Sequence, residues 1–231
     1  MSGVKMGMNR RNFLIALPGL AAWRGVSAGS GFAPVLPGRR LKFPADHGAH
    51  PDFRTEWWYA TGWLTLPDGS PLGFQTTFFR VRTGLGEGSA SAFAPRQLIL
   101  AHAAISDPRL GRLRHGERSA RTGFGRAGFE LGRTGVAVGD WRFVQEGGDA
   151  YMATVRADEF SYALRLVPSG PPLLNGAGGF SAKAPDPRHA SYYYSRPQLT
   201  VSGTVTLEGR SQAVTGRAWL DHEWSSELLP S

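Results

Sequence analysis

Trp57-Trp58-Tyr59-Ala60-Thr61-Gly62-Trp63-Leu64-Thr65-Leu66 and Leu72-Gly73-Phe74-Gln75-Thr76-Thr77-Phe78-Phe79-Arg80-Val81-Arg82, with Pro67-Asp68-Gly69 between them, decide the fold. β-branched and aromatic residues fill both runs. The Pro-Asp-Gly segment presets a bend at proline and admits positive φ at glycine, so the two runs form an antiparallel hairpin. Period-two alternation puts Trp57, Tyr59, Thr61 and Trp63 on one face and Trp58, Ala60, Gly62, Leu64 and Leu66 on the other. Large apolar groups on both faces are expected where one face lines an interior cavity and the other is covered by a neighbouring element.

Upstream, Phe43-Pro44-Ala45-Asp46-His47-Gly48-Ala49-His50-Pro51-Asp52-Phe53-Arg54-Thr55-Glu56 feeds a polar loop into the first strand. Asp46, His47, His50, Asp52, Arg54 and Glu56 stand close together there, against the aromatics that follow. Downstream, Gln97 to Ser106 is a third strong strand, with His102 among apolar residues as a core or cavity-wall histidine. The pattern fails from Asp107 to Gly135, which reads as loop with at most a short helix near Glu117 to Thr122. Strands recur at Trp141 to Gln145, Tyr151 to Ala157 and Phe160 to Val167. The Gly- and Pro-rich segment from Pro168 to Arg188 reads as a long loop, a lid over a cavity mouth. Tyr192 to Tyr194, Gln198 to Leu207 and Gln212 to Leu220 resume the strands.

About nine strands and no long helix define an all-β class. The 31 glycines, 16 prolines and 19% charged residues agree with short strands joined by tight turns. A closed antiparallel barrel is favoured over an open sheet because closure removes exposed edges. Trp219-Leu220-Asp221-His222-Glu223-Trp224-Ser225-Ser226 then repeats the chemistry of the first loop, with carboxylates and a histidine between tryptophans.

The N-terminus is set apart from the fold. Asn9-Arg10-Arg11-Asn12-Phe13-Leu14 precedes an apolar run to Trp23 and the small residues Val26-Ser27-Ala28, the pattern of a twin-arginine export signal over residues 1–28 and hence of a periplasmic protein. The net charge of +8 includes Lys5, Arg10, Arg11 and Arg24 in those 28 residues, which hold no acid, so the remainder carries +4. Its arginines are scattered and follow no nucleic-acid motif, so no nucleic-acid partner is expected. Peripheral contact with an anionic membrane surface fits the mild surplus. The absence of cysteine excludes disulfides, zinc-thiolate sites and cysteine nucleophiles.

The four ordered motifs F-P-x-D-H-x-x-H-P-D-F-R-T-E-W-W-Y, G-F-Q-x-T-F-F-R, A-H-A-A-I-S-D and W-L-D-H-E-W-S resemble the AttH/CrtC lipocalin-like family, which includes bacterial carotenoid 1,2-hydratases. The resemblance implies calycin-like (lipocalin-like) β-barrels, two in succession, with an apolar ligand site. On this reading residues 29–40 are a linker, 41–214 one barrel, and 215–231 the start of a truncated second barrel. Trp219 and Trp224 are then expected to be exposed, for a partner to cover.

The expected function is to bind an isoprenoid or lipid in an aromatic-lined cavity. The candidate ligand residues are Asp46, His47, His50, Arg54, Glu56, Trp57, Trp58, Tyr59, Trp63, Gln75, Phe79, His102, Trp219 and Trp224. A hydro-lyase that adds water across an isoprenoid double bond is the alternative. It would use Asp221 as a neutral acid, with His222 and Glu223 as base or support. No cofactor is expected, and a metal site on the His47/His50 loop with a nearby carboxylate is a third reading.

Overall fold

The structure is a computed structural model and describes residues 31–227. The proposed signal segment, 1–28, lies outside them. The described residues form thirteen strands: β1 (Thr55–Thr65), β2 (Pro71–Arg82), β3 (Gln97–Asp107), β4 (Arg112–Arg121), β5 (Ala127–Phe129), β6 (Gly135–Val138), β7 (Trp141–Gln145), β8 (Tyr151–Arg156), β9 (Phe160–Val167), β10 (Leu173–Leu174), β11 (Phe180–Ala182), β12 (Ala190–Leu207) and β13 (Arg210–Ser225). They make one antiparallel sheet in the order β4-β3-β2-β1-β13-β12-β9-β8-β7-β6-β5, with β10 and β11 paired to β12. The ends of this order, β4 and β5, are joined by a short turn with a bridge between Gly123 and Ala127. The sheet therefore curls into a nearly closed barrel, the all-β calycin architecture expected from the motifs.

The β1–β2 hairpin forms as its turn chemistry dictates, from Thr55↔Val81 to Thr65↔Pro71. Gly69 donates its N–H to the Leu66 carbonyl and takes φ +83°, a conformation in which glycine has no Cβ penalty. Buried apolar side chains fill the interior: Trp58, Leu64, Phe78, Ile99, Trp141, Phe143, Leu164, Val201 and Leu220 belong to one continuous core. A smaller cluster of Val35, Phe53, Ala190, Tyr192, Tyr194 and Trp224 closes one end.

Four expectations are corrected. The stretch from Asp107 to Gly135 is not loop: β4 pairs with β3 from Leu98↔Arg121 to Asp107↔Arg112, and no helix forms at 117–122. Its polar side chains hid a strand with one exposed face and one, carrying Arg114, Gly116, Arg118 and Ala120, that is buried or half-buried. Residues 31–40 are not a free linker, because Val35 is buried and the Leu36 N–H and carbonyl both bond the Tyr192 hydroxyl, at 2.8 and 2.9 Å. Residues 215–225 do not begin a separate barrel either. They are the second half of β13, bonded to β1 on one side and β12 on the other, at the middle of the sheet. Trp224 is accordingly buried, while Trp219 is 38% exposed.

Finally, the two short strands expected around Tyr192 and Val201 are one strand, β12, interrupted by a bulge between Arg196 and Leu199. Pro197, which has no N–H to give a ladder, and Gln198, at φ +59°, form the irregularity. The extra residue reverses the phase of alternation. Tyr192, Tyr194 and Arg196 are buried before it, and Leu199, Val201 and Val205 after it.

Candidate functional site

β1 divides the candidate residues between two sites. Its even side chains, Glu56, Trp58 and Ala60, are buried inside, and its odd ones, Trp57, Tyr59, Thr61 and Trp63, stand outside. Neighbouring strands continue both sets by register. Glu56 lies opposite Arg80 and Trp224, and His222 opposite Trp58 and Tyr194. The short 3-10 turn Ala45–His47 and the loop after it bring Asp46, His47 and His50 over the same barrel end.

The inner set is a closed polar network. Glu56 Oε1 accepts from His50 Nδ1 at 2.7 Å and His222 Nε2 at 2.8 Å, and Oε2 accepts from Arg80 Nε at 2.7 Å and the His50 backbone N–H at 2.9 Å. Arg80, 0% exposed like Glu56, also donates to the carbonyls of His50 and Phe53 and to Gln97 Oε1. The other His50 nitrogen reaches Asp46 Oδ1 at 3.0 Å, and Arg39 and the Lys42 N–H also bond Asp46. The His50 ring stacks on Trp224 at 3.7 Å with 7° between planes, and His222 stacks on Trp58 at 4.8 Å.

Charge states follow from these partners. Burial alone would raise the Glu56 carboxyl, but hydrogen bonds from His222 and His50 override it and hold the group below the ordinary carboxylate range. Burial alone would lower His50, yet its bonds to Asp46 and Glu56 raise it. A ring that donates through both nitrogens to two carboxylates is an imidazolium. His222 is pushed down to about 4, mainly by burial and against the pull of Glu56, and is neutral. His47, lowered to about 4 by burial and then by Arg196, is neutral too.

His50, Glu56 and His222 offer ligand atoms within 4.8 Å of one another, the group among the described residues that could hold a metal ion. Both histidines, however, spend an N–H on the same carboxylate oxygen. A cation there would have to displace two protons beside the Arg80 guanidinium, so the donor set fits an ion-pair lock better than a metal site. His47 and His50 do not converge as a chelating pair: His47 Nδ1 lies 2.9 Å from the Tyr194 hydroxyl instead.

The outer set is an aromatic surface with a cleft. Trp57 pairs across strands with Phe79 and Glu223, Tyr59 with Asp221, Thr61 with Trp219 and Gln75, and Trp63 with Arg217. His102 is exposed there, 5.5 Å from the Phe79 ring, and Trp63 is 58% exposed. Beside Trp57 a cleft of about 390 Å³ is lined by Thr55, Ala190, Ser191, Ser225 and the Lys183–Glu223 ion pair, whose charged atoms lie 2.7 Å apart. The Ser191 hydroxyl is buried and has no hydrogen-bond partner among the described residues.

Asp221 accepts from Ser195 Oγ at 2.6 Å and Trp219 Nε1 at 2.7 Å, and also bonds Tyr193, whose phenol burial and this carboxylate push up to about 12. Asp221, His222 and Glu223 thus do not act as one trio. His222 points inward, and Asp221 and Glu223 outward. Arg54 is apart from both sets, with its guanidinium over the Phe32 ring.

Arg80, Tyr194, Arg196 and Lys183 were not read from the sequence as site residues. Arg80 had a signal, since it is in phase with Phe74 and Phe78 on the inward face of β2. Tyr194 and Arg196 had none, because the bulge that sets their phase is a tertiary feature.

A nearly closed barrel with these two sites defines a lipocalin-like protein, and the comparisons agree. The chain belongs to the AttH-like family, which it matches over residues 34–231. It is similar to the crystal structure of a protein of Nitrosomonas europaea assigned to AttH, with 52% identity and a TM-score of 0.78, covering 86% of this chain and 59% of that one. The chain therefore spans less than two thirds of that relative. Kievitone hydratase from Nectria haematococca shares the fold at 10% identity, TM-score 0.61, over 87% of this chain and 56% of that one. No curated protein matches the chain.

Proposed function

We propose that the protein binds an apolar molecule, an isoprenoid or lipid with a polar end, on the outer aromatic face of β1, β2 and β13. The observation that carries this reading is the cleft beside Trp57. It is apolar over most of its lining and has a few placed polar groups, the Ser191 hydroxyl and the Lys183–Glu223 pair, as small-molecule sites do. Trp57, Tyr59 and Phe79 would hold the chain, and Lys183 and Ser191 the head. The inner network keeps β1, β2, β12 and β13 in register beneath that surface.

Titrating the full chain with a fluorescent polyene fatty acid tests this. Saturable binding should weaken by about tenfold or more in Trp57→Ala, the loss expected of a buried aromatic anchor. Binding unchanged by that substitution would sink the reading.

A hydro-lyase on the same face is the second reading, favoured by Asp221 on the aromatic surface. There Asp221 accepts from Ser195 Oγ and Trp219 Nε1 and would exchange a proton with the substrate, the role expected from sequence. Asp221→Asn should then lower turnover by roughly two to four orders of magnitude and leave binding intact. Equal loss of binding would make Asp221 structural.

A further inference from the structure

A second opening, of about 490 Å³, lies where the loop carrying His47 meets the β7–β8 turn and the segment after β9. Phe43, Pro44, Pro171 and Pro172 give it apolar walls, and its polar groups include His47, Asp149 and Arg196. Hydrogen-bond directions inside the barrel fix what His47 presents there. Ionised Glu56 can only accept, so the proton between it and His222 belongs to His222 Nε2. Neutral His222 then has a bare Nδ1, which accepts the Tyr194 hydroxyl proton across 3.1 Å. With its one proton committed, Tyr194 accepts from His47 Nδ1–H at 2.9 Å. The lone pair of neutral His47 is therefore on Nε2. Asp149 Oδ1, a second acceptor, lies 3.9 Å from it and also accepts from Gln145 Nε2 at 2.6 Å, and the other oxygen of that carboxylate is taken by Arg196. Two acceptors side by side are complemented by a hydrogen-bond donor.

We propose that this opening binds a hydroxyl-bearing organic molecule, an alcohol or phenol, in its neutral form, with its O–H donated to His47 Nε2. No bond forms or breaks: His47 Nδ1–H stays on the Tyr194 oxygen and the Tyr194 O–H on His222 Nδ1. Tyr194, His222 and Glu56 are positioning residues, which keep the His47 proton on Nδ1 and leave Nε2 to accept. Phe43 and the prolines suit a flat ring.

para-Nitrophenol is the probe, because its phenolate absorbs where the phenol does not, so one titration reads both binding and ionisation. With the full chain, just below the free phenol's pKa, binding should be saturable and should lower the phenolate band, because the site takes the neutral phenol. His47→Gln should weaken binding by about tenfold. Tyr194→Phe should let the His47 proton redistribute between its two ring nitrogens in nitrogen-15 spectra, a change that a purely structural role would not give. No binding, binding indifferent to His47→Gln, or a phenolate band raised by binding would each overturn the proposal. Should a variant fail to fold, nitrogen-15 spectra of the wild-type histidine rings decide instead. An unprotonated His47 Nε2 supports the assignment, and a protonated one refutes it.

Discussion

Glu56 is the residue on which the inner network depends, since it joins His50, His222 and Arg80 through two oxygens. Glu56→Gln leaves the Arg80 and His50 cations facing a neutral amide, and breaking a buried pair in this way costs about 3–5 kcal/mol. Urea unfolding should show a loss of that size. The neutral histidines make a separate, pH-dependent contribution. Both are lowered to about 4 in the fold, below the ordinary histidine value, so the unfolded chain binds the extra protons as pH falls. Stability should therefore fall between about pH 6.5 and pH 4, by up to about 1.4 kcal/mol per pH unit for each histidine. His50 has the opposite sign: being raised, its contribution is full below the ordinary histidine value and is lost as pH rises through its folded value. Melts taken across this range should show the acid loss, with a shallower slope in His47→Gln; a flat profile would contradict the neutral assignments.

At the scale of elements, curvature rests on points where no side chain fits. Gly203 in β12 has φ +152°, and a Cβ there would meet the Ala163 carbonyl oxygen of β9 at 2.1 Å. Gly203→Ala must push two strands apart and should destabilise by roughly 3 kcal/mol or more, or prevent folding. Gly69 at the hairpin turn also has positive φ, but nothing lies within 4 Å of a Cβ built on it. Gly69→Ala should cost only about 1 kcal/mol. Urea midpoints of the two variants test the distinction, and equal losses would refute it.

For the whole molecule, the outer aromatic face is the feature that sets behaviour in solution. Trp63 and Trp219, 58% and 38% exposed, extend the apolar surface beyond the cleft, and such a surface marks contact with a ligand or a partner. Replacing both by serine should at least halve the fluorescence of a hydrophobic dye, while stability moves by less than about 0.5 kcal/mol each. Undiminished dye fluorescence would place the sticky surface elsewhere. Export by the twin-arginine route is a further proposal: changing Arg10 and Arg11 to Lys should keep the protein out of the periplasm, and fractionation of cells expressing each form reads this directly.

The hairpin and the all-β class were legible because they rest on local chemistry: Pro67-Asp68-Gly69 bends the chain whatever surrounds it, and alternation in β1 follows from the pleat. The two clusters around His50 and His222 were legible as compositional concentrations. Alternation also implied that Asp221 and Glu223 face away from His222, although not which face is the interior. Pairing across the sheet decided that, since it sets Glu56 between Arg80 and Trp224, partners 24 and 168 positions away in the chain. β4 was illegible because its inward face carries Arg114, Gly116 and Arg118 rather than a run of apolar residues, so no hydrophobic alternation marks it. The bulge at Pro197 and Gln198 was illegible as well, although it alone turns Tyr194 and Arg196 inward with Leu199 and Val201. Sequence thus determined where strands and reactive groups occur. Only the closed sheet decided which of those groups meet, because a one-residue shift of register exchanges the two faces of a strand.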